Sequence, residues 1–388
     1  MNCQICKQTI FFFFIIFIFP SILMGQKAIV SPPFSGKTIL NHEPLKKSQF
    51  GELISNITIS KSSFNPGIGE NVNIYYNITK PAEVILNIYD PDYGLVKKIS
   101  KKITDSGKMS FIWDGKDLDN HIVPDEAYFF MITAKDHSGN METYDPTLFS
   151  GGFEHQIRKA KVDILRHTIT YRMPEIGRVL FRLGIHGGPL LNTLVDWKPR
   201  LDGVVTEFWN GKDAENKIYF YKHPKFKMRI TYFSFPENSI ISYGNKKVSF
   251  KQYKATNKRP KKEINKQNLL QKSPHYALQR VLDYSPEVFI NFSNILGKDD
   301  DGIPIIKNKT IVKVTLNDQD KLIFQNQQFE ICFFLDYEFY AEDEAGYTPF
   351  NWLWNLSNVS EGVHLLTVNI TSYKDQIGVV SRKVRIIK

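Results

Sequence analysis

From about residue 51 onward, apolar and polar positions alternate with period two over short stretches. Val72-Asn73-Ile74-Tyr75-Tyr76-Asn77-Ile78, Val84 to Tyr89 and Tyr128 to Ala134 each put apolar side chains on one face of an extended strand. Asp90-Pro91-Asp92-Tyr93-Gly94, Asp114-Gly115 and Asp136-His137-Ser138-Gly139-Asn140 separate these strands with turn-forming residues. No long stretch repeats with a period of 3.6. The pattern predicts an all-β protein of antiparallel sandwiches. Two stretches break it. Residues 9–24 are continuously apolar and follow Lys7, and residues 246–280 are rich in lysine.

The strand pattern is duplicated. Trp113-Asp114-Gly115-Lys116-Asp117 with Asn120 matches Trp209-Asn210-Gly211-Lys212-Asp213 with Asn216. Upstream, Tyr75 to Ile78 leads to Pro81 as Thr170 to Met173 leads to Pro174. Matching landmarks at nearly one spacing indicate two tandem domains of ordinary sandwich size. A third strand-rich region contains Ile311 to Leu316, Phe329 to Leu335, Asn351 to Asn355, Val363 to Thr371 and Val379 to Ile387. The expected division is a signal peptide over 1–25, an extended leader over 26–50, and sandwiches over 51–150 and 151–245. A basic linker over 246–295 and a third sandwich over 296–388 complete it.

The first repeat resembles the Ig-like domain of the flagellar hook-capping protein FlgD, which also occurs as a detached module in exported bacterial proteins. The resemblance rests on Phe64-Asn65-Pro66, the strand from Val84 to Tyr89-Asp90, the Trp113–Asp117 turn, Pro124 to Tyr128 and the turn at 136–140. Glu126-Ala127 stand where the family usually has Gly. The second repeat keeps Trp209, Gly211, Lys212, Asp213 and Asn216. Nothing matches the hook-cap protein's assembly region, so no flagellar role is implied. The third region resembles bacterial Ig-like repeats of surface and secreted enzymes, through Phe334-Leu335-Asp336, Tyr347 to Trp354 and Glu361 to Val368. Both resemblances imply Ig-like or fibronectin-III-like folds that space or bind.

Composition narrows the role. A basic start and a 16-residue apolar run describe a secretory signal, either removed near Gly25 or kept as an N-terminal anchor. The chain is thus expected to be exported. Cys3 and Cys6 precede the run and would leave with it, so Cys332 is expected as a small buried hydrophobe without internal disulfides. The net charge of +10 is local: residues 246–280 hold eleven Lys/Arg and only Glu263 as acid, and elsewhere the two signs balance. That argues against nucleic acid and for an acidic partner or anionic envelope polymer held by Lys258, Arg259, Lys261 and Lys262. The strip could equally dock on the chain's own acids at Asp336, Glu338, Glu342, Asp343 and Glu344.

No hydrolase, zinc-protease or nucleotide-loop motif is present. No cofactor is expected. Asp299, Asp300 and Asp301 before Gly302 form the one candidate Ca²⁺ cluster, read beside the simpler alternative of an acidic turn. Trp352 and Trp354 share a strand face, as sugar-stacking platform or as core. The sequence therefore points to a non-enzymatic exported protein, a cell-envelope scaffold or subunit of a surface assembly with other envelope proteins as partners. The alternative is a carbohydrate-binding accessory of a polysaccharide-degrading system.

Overall fold

The computed structural model describes residues 52–257, 259–262, 285–324, 328–344, 346–372 and 376–388. The expected signal and leader, Lys258 of the basic strip and residues 263–284 lie outside them. Among the described residues, no helix is long and apolar enough to cross a membrane.

The first sandwich is built from β1 (Ile54–Ile59), β2 (Ser63–Phe64), β3 (Val72–Ile78), β4 (Ala82–Tyr89), β5 (Leu95–Ile103), β6 (Gly107–Trp113), β7 (Glu126–Asp136) and β8 (Met141–Tyr144). The second contains β9 (Glu154–Ile157), β10 (Ala160–Asp163), β11 (Thr168–Met173), β12 (Gly177–Ile185), β13 (Leu190–Arg200), β14 (Gly203–Phe208) and β15 (Phe226–Ser234). After β16 (Ile240–Ser242), the third holds β17 (Val288–Phe292), β18 (Gly297–Lys298), β19 (Pro304–Lys307), β20 (Lys309–Leu316) and β21 (Phe329–Leu335). It closes with β22 (Glu338–Asp343), β23 (Phe350–Asn355), β24 (Gly362–Ser372) and β25 (Ile377–Ile387).

The alternation seen in the sequence is the burial pattern: Val72, Ile74, Tyr76 and Ile78 of β3 face the first core with Val84, Leu86, Ile88, Phe111, Trp113 and Phe130. The duplication is visible in the topology. Sheet β1-β3-β6 corresponds to β10-β11-β14, and the run β7-β4-β5 corresponds to β15-β12-β13. The two landmark turns also share their bonds. Trp113 Nε1 donates to the Lys116 carbonyl at 3.1 Å and Trp209 Nε1 to that of Lys212 at 2.7 Å. Asn120 and Asn216 adopt φ of 61° and 60°.

Two expectations are corrected. First, the second sandwich is nested in the first. The slot that β9 fills beside β15 is filled beside β7 by β16, which arrives only after the second sandwich is complete. Ile240 of β16 is fully buried in the first core. Entry and exit are zipped together, with Gly152 N–H donating to Ser234 O at 2.7 Å and Ser234 N–H to Phe153 O at 3.0 Å. Gly151 sits here at φ 72°, where a Cβ would lie 2.4 Å from the Pro236 nitrogen. The third sandwich, in turn, starts with β17, before residue 296. Two short parallel pairings, β2–β16 and β19–β25, sit among the antiparallel ladders that the sequence pattern predicts. Second, Cys332 is buried as expected but is disulfide-bonded.

Candidate functional site

The opening of the expected linker is a folded strap on the first sandwich. Ser249 caps the helix Phe250–Thr256 through a reciprocal capping box with Gln252. Phe250 and Tyr253 are buried, and the Tyr253 hydroxyl donates to Asp117 Oδ2 at 3.1 Å. Burial, reinforced by the Asp117 carboxylate, pushes that hydroxyl's pKa above its usual value. The chain beyond the helix runs along the Tyr93–Leu95 turn: Leu95 N–H donates to Pro260 O and Lys262 N–H to Tyr93 O, each at 2.9 Å. Gly94 permits this approach, since a Cβ there would meet Asp90 Oδ2 at 2.6 Å and Lys254 Nζ at 3.0 Å.

The strap's cations meet acidic turn residues of the first sandwich. Lys254 Nζ lies 3.0 Å from Asp90 Oδ2 and 3.8 Å from Asp92. Arg259 Nη2 reaches Asp117 at 2.9 Å and Asp119 at 2.6 Å. Lys262 Nζ lies 2.5 Å from Asp145 and 2.9 Å from Thr147 Oγ1. Burial raises the Asp90 carboxyl's pKa, with Lys254 opposing the shift. Burial alone would lower the Arg259 pKa, but hydrogen bonding to Asp119 and the nearby charges more than reverse it. Of the four basic residues read as a partner site, Arg259 and Lys262 are engaged within the chain. Lys261 bridges Gly94 through its backbone and leaves its side chain exposed. Lys258 lies outside the described residues. The acids they meet are therefore Asp117, Asp119 and Asp145, not those of 336–344.

The expected Asp299–Asp301 cluster is a hairpin turn between β18 and β19. Asp299 accepts from the Asp301 and Ile303 amides at 3.1 and 2.8 Å and pairs with Arg385 Nε at 2.7 Å. The Arg385 bond is the main cause holding its carboxyl below the ordinary range. Asp300 and Asp301 are exposed. The one converging set of potential ligands among the described residues is Asp117, Asp119 and His121. The Arg259 guanidinium already bonds both of its carboxylates, so a cation site there would have to displace it.

Two inter-sandwich joints went unread in the sequence. At the first, Arg178 and Glu126 are each 1% exposed and pair at 2.6 Å between Nη2 and Oε1. Arg178 Nη1 also donates to Trp197 O at 2.9 Å, and its guanidinium lies 5.8 Å from the Phe233 ring centre and 5.3 Å from that of Phe235. An apolar cluster of Tyr89, Tyr93, Ala127, Phe129, Leu180, Trp197, Phe233 and Phe235 surrounds them. The departure from Gly at Glu126 was the available signal. At the second joint, the Asn369 amide accepts from Leu190 N–H at 2.9 Å and donates to Leu190 O at 3.0 Å. Arg382 pairs with Glu215, Lys225 with Glu338 at 2.7 Å, and His223 packs on Tyr337 with ring centres 4.7 Å apart.

Trp354 is fully buried, and Trp352 stacks on Phe333 at 4.2 Å and on Trp354 at 5.6 Å. These contacts commit the pair largely to packing.

Residues 61–138 match the family model of the FlgD Ig-like domain, and the structure shows an Ig-like sandwich there. No curated protein matches the chain. Among solved structures, FlgD from P. aeruginosa is 20% identical with a TM-score of 0.20, over 27% of this chain and 78% of that one. A structure described by the host cell surface retention of a 1.5-MDa bacterial ice-binding adhesin is 11% identical, over 86% of this chain and 98% of that one, with a TM-score of 0.18. A tetra-tandem repeat from the extending region of a large adhesion protein is 8% identical, over 84% and 73%, with a TM-score of 0.18.

Proposed function

We propose that the chain is a non-enzymatic exported scaffold, a subunit of a bacterial cell-surface or envelope assembly whose Ig-like sandwiches are held at set angles. The observation that carries this reading is the pair of built joints. A buried ion pair inside an apolar cluster links the first sandwich to the second, and a two-bond amide clasp links the second to the third. Spacer domains that move independently have small, polar contacts between them. Here the first joint is largely apolar, and its charges are paired out of solvent. Such a chain presents loops and sheet edges at defined separations to other envelope proteins. Anionic polymer remains a second class of partner only through basic groups outside the strap's internal pairs.

The test combines small-angle scattering with protease shaving of intact cells. One rigid envelope fitting all three sandwiches, unchanged between low and moderate salt, together with loss of the protein on shaving, supports the reading. Buried pairs are screened little by salt. Scattering that requires freely moving sandwiches, or a chain retained in the cytosol, overturns it.

A further inference from the structure

The duplication allows one sheet edge to be compared in two copies. In the first sandwich the edge strand β6 presents Lys108, Ser110 and Ile112 in alternation, and Lys101 Nζ covers the Ser110 carbonyl at 2.7 Å. A lysine on an edge strand guards it against pairing with another chain. In the second sandwich the corresponding strand is β14, and Val204, Thr206 and Phe208 stand where Lys108, Ser110 and Ile112 stood. The guarding lysine has become valine.

The hydrogen-bond phase of β14 is determined. Trp209 N–H donates to His167 O at 2.8 Å, and β14 pairs with β11 without a register shift from Thr168–Phe208 to Met173–Gly203. Alternate residues of an antiparallel strand bond to opposite sides. Glu207, Val205 and Gly203 therefore bond to β11. The N–H and C=O groups of Phe208, Thr206 and Val204 point away from the sheet. The side chains of those same three residues are exposed, Val204 at 70% and Phe208 at 80%. Leu165, in the turn joining β10 to β11 at the Phe208 end, is 92% exposed. The one acid of the strand, Glu207, is turned inward to Arg200 and the Tyr171 hydroxyl.

Three other edges carry protection. β5 has Lys97, Lys98, Lys101 and Lys102; β22 sets Phe339 and Tyr340 among Glu338, Glu342 and Asp343; β13 has Pro199 and register shifts. Among the described edge strands, β14 combines two strongly exposed apolar side chains with no charge at its outward positions.

We infer that β14 is a homotypic docking edge, at which a second copy of this chain adds its own β14 antiparallel to the first. The strand is self-complementary in the phase the ladder sets. With the twofold axis at Thr206, each Thr206 bonds its counterpart through both backbone groups, and each Val204 lies opposite the partner's Phe208. Every outward backbone group of the three residues is then paired, giving a continuous six-stranded sheet across the axis. The exposed face becomes a row of threonines, Thr170-Thr206-Thr206-Thr170, flanked by two Val–Phe pairs; within one chain Thr170 and Thr206 already touch at 3.2 Å between hydroxyls. A single edge pairing belongs among interfaces below about 1,200 Å², the class of weak and transient contacts.

Thr206→Pro is the discriminating variant. It removes an outward backbone donor and no ladder bond of the sheet, losing within the chain only the exposed Thr170–Thr206 hydroxyl contact, and proline is tolerated on edge strands. Thr206→Lys, which places two like charges at the axis, provides an independent disruption. The purified chain and both variants are compared by sedimentation across about 1–200 μM, with thermal melting as the control for folding. The expected result is a concentration-dependent dimer whose dissociation constant rises at least tenfold in both variants at unchanged melting temperature. A monomer throughout that range, or a dimer unaffected by Thr206→Lys, overturns the inference. A monomer whose edge binds an extended peptide unrelated in sequence to Gly203–Phe208 also overturns it, by showing that the edge takes a foreign strand instead.

Discussion

Removing either partner of the Arg178–Glu126 pair leaves the other's charge where both side chains are 1% exposed, but the two removals are unequal. In Arg178→Met, Glu126 keeps the Ala127 amide, 2.8 Å from Oε1, and loses the guanidinium that both of its oxygens face. Breaking a buried pair this way costs about 3–5 kcal/mol. In Glu126→Gln, Arg178 retains the Trp197 carbonyl and the faces of Phe233 and Phe235. Each ring contact is worth about 0.5–2 kcal/mol when desolvated, so this variant is expected to lose only about 2 kcal/mol. The double variant should be less destabilised than the sum of the singles by about 2 kcal/mol, because neither charge is then left buried without the other. Urea unfolding read by hydrogen exchange in peptides covering 126–131 and 178–183 localises the effect to the joint. A single-variant cost below about 1 kcal/mol, or a coupling below about 0.5 kcal/mol, would refute a pair desolvated and mutually dependent.

Three further outcomes follow from the same geometry. Arg259→Ala should release the strap at a cost of about 2–4 kcal/mol, since Asp117 is buried, and amide exchange at Leu95 and Lys262 should accelerate by at least tenfold. Asn369→Ala removes both bonds to Leu190 and should weaken the second joint by about 1–3 kcal/mol, visible as a larger radius of gyration; an unchanged radius counts against the clasp. At Glu215, burial raises the pKa, but bonding to Arg382 outweighs it and leaves the carboxyl below 4.5. A depressed acid stabilises the docked form above its unfolded value and loses that contribution as pH falls through the folded one. The Glu215–Arg382 contribution should therefore be lost only below about pH 4.5, whereas His223, its pKa lowered chiefly by burial, weakens the same joint as pH falls below 6.5; scattering in which Glu215→Gln abolishes loosening between about pH 7 and 5 would contradict this assignment.

The sandwiches were legible because half-buried strands write their burial into alternation, as β3 does residue by residue. The duplication was legible because Trp113 and Trp209 need the same turn around them. The nesting was not. β16 is three residues long, and nothing in Ile240-Ile241-Ser242 says which of two similar sheets it completes. The strap was hidden by the opposite problem. A lysine-rich run reads as solvated, and Asp90, Asp92, Asp117, Asp119 and Asp145 read as turn residues. They are turn residues: Asp117 accepts from the Asp119 and His121 amides at 2.9 Å. The same carboxylate also receives Tyr253 and Arg259 through its other oxygen, and composition cannot show such double use. At the candidate site, Arg259 and Lys262 do meet acids, and those acids belong to turns of the first sandwich. Glu126 was visible as a departure from the family pattern, but its meaning required Arg178, 52 positions away.

The nesting also decides how the molecule carries mechanical load. The second sandwich leaves and rejoins the first at adjacent points, with Gly152 and Phe153 bonded to Ser234. Tension applied between the first sandwich's leading strand and the third sandwich reaches the chain at β1 and at the strap. Its covalent path does not run end to end through the second sandwich, which is entered and left at adjacent points; that sandwich takes load only through its two joints. The strap bears such a pull through several bonds side by side: Leu95 to Pro260, Lys262 to Tyr93, and the Arg259 and Lys262 ion pairs. Bonds loaded together in shear must break nearly at once, whereas a zipper opened from one end yields bond by bond. Under such a pull the strap would share the load with the two joints, and the backbone of the sandwich that carries the β14 edge lies off the covalent path.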